Sequence, residues 1–368
     1  MAKPKLALIP AAQGTKLYSV LPSNGTGDFT FTRGSVATRI NAQGLIENVA
    51  SGQSRLDYPM IDGVQKGCPH HILEPARTNL ILNSQKISLT PTKAGTFVDN
   101  FAISPDGTLN ATKLTATDVD PYFYQNISYS AVSYTASIYI KGIGNSVGKE
   151  FQIRLGTNIY TDVIPLEWTR FKYTVTMASG VTSAGLEIPN PAVVGDEVLV
   201  WGWQVEVGSY VTSYIPTSGT AVTRSAETAS GAGNSTTFND SEGVLMAEIS
   251  ALANDSTNRQ MTLSDGTNDN RLVLKYDNQS NIIQSFNRIS GVESAFLSAS
   301  VTDITLFSKC LVKYKVNDYQ LWINGFKLDT DTSASVWPTS TLNDLRINAG
   351  GGADFYGNVK QLQYFDSA

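Results

Sequence analysis

The chain is poor in the residues that do chemistry. Its 368 residues include two histidines, adjacent as His70-His71, and two cysteines, Cys68 and Cys310, far apart. Neighbouring strand residues point to opposite faces, so the histidine pair does not converge on one ion. A structural zinc needs four ligands at recognisable spacing, and no second half accompanies Cys68 and its histidines. The cysteines fall in what read as different domains, so two free, buried thiols are expected and no disulfide. Charge is scarce too. Asp, Glu, Lys and Arg make up 16% of the chain, the net charge is -5, and no run of like charges occurs. That balance argues against a nucleic-acid-binding surface, which needs a basic patch. Apolar stretches are all shorter than a membrane-spanning helix requires. The N-terminal run Leu6-Ala7-Leu8-Ile9 stops at Pro10, too short for a secretory core.

Ser, Thr, Asn and Gly fill the space that charge leaves. Apolar alternation and turn residues dominate from end to end, which predicts an all-β protein of two or three domains. Residues 1–82 carry short extended pieces (17–21, 29–32 and 37–40) between Gly-rich turns. They form an irregular β segment expected to pack on the next domain or on another subunit. Residues 83–216 predict a β-sandwich with strands at 97–103, 122–129, 134–141, 151–155, 168–176 and 198–207. In the last of these, Leu199, Trp201, Trp203 and Val205 are expected on one face, with Val198, Val200 and Gly202 on the other. Residues 217–240 read as a linker by composition. Residues 241–368 predict a second sandwich with strands at 244–250, 271–276, 282–286, 311–316, 343–348 and 359–365. Within it Asn324-Gly325, between two apolar strands, is the strongest hairpin signal.

Three blocks carry a family resemblance. They are Thr32-Arg33-Gly34-Ser35-Val36-Ala37-Thr38-Arg39-Ile40-Asn41 with Gly44-Leu45-Ile46-Glu47, then Leu73-Glu74-Pro75-Ala76-Arg77-Thr78-Asn79-Leu80, then Gly208-Ser209-Tyr210-Val211-Thr212-Ser213-Tyr214-Ile215-Pro216-Thr217. In that order they resemble virion proteins of tailed bacteriophages. The middle region is similar to carbohydrate-binding-module-like jelly rolls, and the last to the laminin-G and concanavalin-like fold, in which the final strand lies beside the first. The resemblance implies a head or tail fibre or appendage component, located in the virion. It also implies other virion proteins as partners and a homo-oligomer, a trimer by preference. Arg33, Arg39 and Arg77 are expected to pair with Glu47 or Glu74 in a packing role.

No residue is singled out as catalytic, and no cofactor is called for. Sugar recognition is the chemistry that the composition favours, because a pyranose needs an aromatic platform and planar polar side chains. The candidates are Tyr122 and Tyr124 in the first sandwich, with Trp337, Phe355 and Tyr356 in the second. Trp337 stands out because its Ser- and Pro-rich surroundings read as a loop. Asp265, Asp269, Asp329 and Asp331 are candidate calcium ligands in turn contexts. The reading is therefore a non-enzymatic virion protein that touches host or environmental glycans. Its rivals are a purely structural decoration protein and a polysaccharide depolymerase, the latter requiring two facing carboxylates in a cleft.

Overall fold

The structure, a computed structural model, describes residues 3–8, 19–61, 64–65, 67–348 and 353–368. Parts of the expected strand at 17–21 and of the Gly-rich stretch before Tyr356 lie outside them. Among the described residues the chain is almost wholly β, with two single turns of 3-10 helix and no α-helix. Among them no helix is long and apolar enough to cross a membrane.

The first sandwich stacks two five-stranded antiparallel sheets. One runs Thr92–Ala94, Tyr122–Tyr129, Gly180–Glu187, Glu150–Leu155, Asn158–Val163, and is called here the tyrosine sheet. The other runs Thr96–Ile103, Leu109–Thr115, Glu197–Val207, Ser133–Ile143, Thr169–Thr176, and is called the tryptophan sheet. Alternation puts Phe123, Ile127, Phe151, Ile153 and Leu186 of the tyrosine sheet against Ile138, Ile140, Val198, Val200 and Trp203 of the other.

The face expected to carry Trp201 and Trp203 together is corrected. Gly202 adopts φ +66°, and the pairing with Ser133–Ile143 slips by one residue there. This bulge inverts the alternation along the strand. Trp203 points inward onto Phe123. Trp201 points outward, where Ile46 and Tyr214 cover it.

The second sandwich sets a five-stranded sheet against a nine-stranded one. Glu242–Ala251 pairs with the final strand, Gly357–Phe365, so the last strand lies beside the first. Asn324 and Gly325 both have positive φ (52° and 88°), the geometry a type I′ hairpin turn needs. The N-terminal segment is built into this sandwich: Leu6–Leu8 and His70–Leu73 both pair with Gly357–Phe365.

The stretch 217–240, expected as a linker, is a strap. Val222–Arg224 pairs with Arg77–Asn79, and Thr228–Ser230 pairs with Thr30–Thr32. Ala229, Ala232 and Phe238 are buried in the second core. Small residues are what such close packing requires. A Cβ on Gly233 would stand 2.4 Å from the Phe238 ring.

The three sequence blocks converge on one buried charge cluster. Arg33, Arg55, Arg224, Glu74 and Glu227 are each 3% exposed or less. Glu227 accepts from Arg33 Nη1 (2.7 Å), Arg55 Nε (2.8 Å), a second Arg55 nitrogen and the Glu74 amide (2.9 Å). Glu74 accepts from Arg55 Nη2 (2.8 Å) and from the Ser213 amide and hydroxyl, with Arg224 Nη1 at 2.7 Å. Burial pushes the Glu74 carboxyl up, but Arg224 and Arg55 outweigh it and hold the group down to about 2. The expected ion pairs are thus corrected in part. Arg39 does pair with Glu47 (2.6 Å). Arg33 instead takes Glu227 of the strap, and Arg77 sits 3.8 Å from Glu206 and over the Tyr210 ring. Asn79 completes the knot, donating to the Trp203 and Ile215 carbonyls and accepting from the Ile81 and Val205 amides.

His70 and His71 are buried on either side of one strand. Burial lowers His70 to about 4 and His71 to about 3, so both are neutral at pH 7. As pH falls below 6.5, the unfolded chain takes up protons that these native histidines refuse, and stability falls with it. Asp57, raised by burial to about 6, runs the other way: native protonation stabilises it as pH drops from about 6 toward 3.8. We predict that His71→Leu flattens the loss of melting temperature between pH 6.5 and 4, measured by calorimetry; an unchanged slope would contradict the assignment.

The cysteine expectation holds for one residue. Cys310 is buried, and burial pushes its thiol up to about 12, whereas Cys68 is exposed. A thiol reagent should therefore label Cys68 alone in the native protein and both residues after unfolding.

Candidate functional site

Of the three sequence candidates in the second sandwich, Trp337 and Phe355 are buried and Tyr356 is half-buried. Trp337 is only 4% exposed. Its loop folds back over the sandwich end, so the indole donates to the Arg288 carbonyl (2.7 Å) and meets the Tyr314 ring edge-on at 5.4 Å. The Asp240 carboxylate pins that loop by accepting from the Ser340, Thr341 and Leu342 amides. Phe355 is a core residue stacked on Tyr276. Tyr356 is half-buried, its hydroxyl on Asp354 (2.9 Å). It sits in the fields of Tyr210 and Arg77, at the junction of the two sandwiches.

The four candidate calcium ligands work as turn and edge fasteners. Asp265 accepts from the Thr267 amide and hydroxyl and from Asn270. Asp269 lies on the same turn, where its carbonyl accepts from the Gly291 amide. Asp329 and Asp331 accept the Ser298 and Phe296 amides of the neighbouring edge strand, Val292–Ser300. Among the described residues no three His, Cys, Asp or Glu side chains come together as a metal group.

Tyr122 and Tyr124 are different. They project from the outer face of the tyrosine sheet, half-exposed, with ring centroids 5.7 Å apart and planes 21° apart. Phe123 between them points into the core. Register fixes what lies beside them, since directly paired residues share a face. Tyr122 pairs with Glu187 and Tyr124 with Gly185. Across the next strand Gln152 pairs with Glu187, and Arg154 with Gly185. Arg154 donates from Nη2 to Glu187 Oε2 (2.8 Å) and to Gln152 Oε1 (2.8 Å), its Nε stands 2.6 Å from Glu187 Oε1 as an ion pair, and Asn190 adds a further bond to Glu187.

Gly185 makes the floor. A Cβ there would lie 2.6 Å from Tyr124 Cβ and 2.7 Å from the Phe123 carbonyl oxygen, so a side chain at this position is excluded. The result is a depression of 190 Å³ lined by Tyr122, Tyr124, Asp120, Ser183, Arg154 and Glu187. Its aromatic wall suits the C–H face of a ring. Its guanidinium and carboxylate offer planar donors and acceptors beside that wall.

Sequence reading found the tyrosines and missed Gln152, Arg154, Gly185 and Glu187 as their neighbours. The strand Gly180–Glu187 holds two glycines and small residues, so it carries little β propensity. Its signal was the alternation of Ala184, Leu186 and Ile188 inward against Ser183, Gly185 and Glu187 outward.

A second cavity, of 270 Å³, lies where the N-terminal segment meets both sandwiches, and Asp57 and Glu74 both line it. Catalysis by a carboxylate pair would need both acids free for substrate. Glu74 has both oxygens taken by the charge cluster and is 1% exposed. This pair therefore lacks its second working acid.

No family model matches the chain, and no curated protein matches it. Among solved structures it is similar to the CBM40 domain of the Ruminococcus gnavus IT-sialidase, bound to alpha2,3 sialyllactose. That match has 16% identity over 38% of this chain and 82% of that one, with a TM-score of 0.32. It is also similar to domains LG4-5 of the mouse laminin alpha1 chain (9% identity, 76% and 93% covered, TM-score 0.27). A third is the CBM22-1-CBM22-2 tandem of Paenibacillus barcinonensis Xyn10C (10% identity, 80% and 100% covered, TM-score 0.27). At these scores the likenesses agree with a β-sandwich architecture and carry no argument about ligand.

Proposed function

We propose that this protein is a non-enzymatic structural component of a tailed-phage particle, a fibre or appendage subunit, that binds host or environmental glycans through the Tyr122–Tyr124 face. The observation that carries the glycan reading is the half-exposed, stacked tyrosine pair beside the Arg154–Glu187–Gln152 array over a glycine floor. Two aromatic rings left half-exposed on a sheet face, next to ordered planar polar groups, are unexplained by the core they sit above. The particle context rests on the three sequence blocks in their order. Their convergence on one charge cluster gives a physical reason for them to occur together.

The test is a glycan array probed with the full chain and with the Tyr122→Ala/Tyr124→Ala variant. Binding by the parent that the variant loses supports the reading. A folded parent that binds no glycan favours the purely structural alternative, in which the sandwiches are spacers. A homo-oligomer, a trimer by preference, is part of the proposal. Light scattering after size exclusion should give a mass several times that of the chain, and a monomer would count against it.

A further inference from the structure

The N-terminal hairpin, Ala37–Ile40 with Ile46–Val49, does not lie flush on the first sandwich. Between it and the outer face of the tryptophan sheet is a cavity of 350 Å³, within the roughly 300–1,000 Å³ range of small-molecule sites. Trp201 and Tyr214 form its apolar floor, with ring centroids 4.6 Å apart. Trp201 is completely buried, and its indole Nε1 has no hydrogen-bond partner among the described residues. A buried donor left unpaired is costly and calls for an explanation.

The rim is polar. Asn48 shares a strand face with Ile46, which packs on Trp201 and Tyr214, so its amide is directed to the cavity side of the hairpin. Gln85 lies opposite, following Ser84, whose hydroxyl bonds the Tyr214 hydroxyl (2.6 Å). No hydrogen bond occupies either amide among the described residues. Asp106 contributes a carboxylate held in place by Ser104, Thr108 and Asn110. Burial raises that carboxyl, but these bonds outweigh it and keep it below the usual range. Among the described residues no lysine or arginine lines the cavity.

We infer that this cavity is a second ligand site and that it takes a neutral saccharide unit. A sugar hydroxyl oxygen supplies the acceptor that the Trp201 indole lacks once the covering hairpin gives way enough to uncover Nε1, which has no exposed surface in the structure. Other hydroxyls bond the two free amides and donate to Asp106, while the carbon face rests toward Trp201 and Tyr214. The Asp106 carboxylate, which has no basic partner among the described residues, disfavours an anionic sugar. The site stands apart from the Tyr122–Tyr124 face, on the other sheet of the same sandwich, and does not depend on that face binding anything.

The test uses the full chain labelled with ¹⁵N, following the Trp201 indole resonance, assigned with Trp201→Phe. The probes are the methyl glycosides of glucose, galactose, mannose, xylose and N-acetylglucosamine, with sialic acid as the anionic comparison. The expected result is a saturable shift of the Trp201 indole with at least one neutral glycoside and none with sialic acid. Asn48→Ala/Gln85→Ala should weaken that response about tenfold or more, from the loss of two amide contacts. Tyr122→Ala/Tyr124→Ala should leave it unchanged. A Trp201 indole that moves with none of the five glycosides overturns the inference, as does a response insensitive to Asn48→Ala/Gln85→Ala. Shifts confined to Tyr122 and Tyr124 amides would reject this second site while supporting the first. The reverse pattern would do the opposite.

Discussion

Glu227→Ala is expected to destabilise the protein by about 3–5 kcal/mol, the cost of stranding buried charges by removing one partner. Glu227 receives four bonds, from Arg33, from two nitrogens of Arg55 and from the Glu74 amide, and none of these donors reaches water. Without the carboxylate the cluster keeps three guanidinium groups against the single charge of Glu74. Urea unfolding read by intrinsic fluorescence measures the change. Because Glu227 lies on the strap, while Arg33, Arg55 and Glu74 lie in the N-terminal segment, the variant should also loosen the contact between the sandwiches. Glu227→Gln, which keeps one acceptor and loses the charge, should fall between parent and alanine. The exposed pair Lys141–Glu167 is the control. Lys141→Ala should change stability by less than about 1 kcal/mol. Equal effects at the two sites would mean the cluster is not the fastening described.

The second large effect concerns binding. Tyr122→Ala/Tyr124→Ala should weaken glycan binding about thirtyfold or more, since truncated aromatic anchors cost roughly 2 kcal/mol or more at a contact. Stability should change little by comparison, because both rings stand on the outer face and outside the core that Phe123 enters. Arg154→Ala tests the polar half separately. It leaves Glu187 with Asn190 alone and should weaken binding while the aromatic wall remains. Gly185→Ala is the sharper probe of shape, since its Cβ has no room beside Tyr124. It should displace the tyrosines and weaken binding without removing any contacting group.

The fold was legible where alternation and turn chemistry agreed. Tyr122–Tyr129 and Arg271–Tyr276 stand where the alternation placed them, and Asn324-Gly325 turns as two-residue hairpins do. Three things were not legible. Gly202 looked like one more strand residue, yet its positive φ inserts a bulge that sends Trp201 and Trp203 to opposite faces. The strap 217–240 has the composition of a flexible linker, but its small residues serve close packing and two of its three charges, Arg224 and Glu227, belong to a cluster whose other members lie 150 or more residues away in sequence. Trp337 looked exposed because its neighbours are Ser and Pro; the amide contacts of Asp240, almost a hundred residues upstream, fold that loop into the core. The last two misses come from long-range contacts that local pattern does not encode. The candidate site was half legible for the same reason. Two aromatics two residues apart announce a shared face, whereas Arg154 and Glu187 join them only through strand register.

Isothermal titration of the full chain with the best array glycan, for the parent and Tyr122→Ala/Tyr124→Ala side by side, tests the central claim most directly. The account predicts saturable binding by the parent and a loss of about thirtyfold or more in a variant with an unchanged unfolding midpoint. Equal affinity in both proteins would contradict it, and would move the glycan contact away from the tyrosine face.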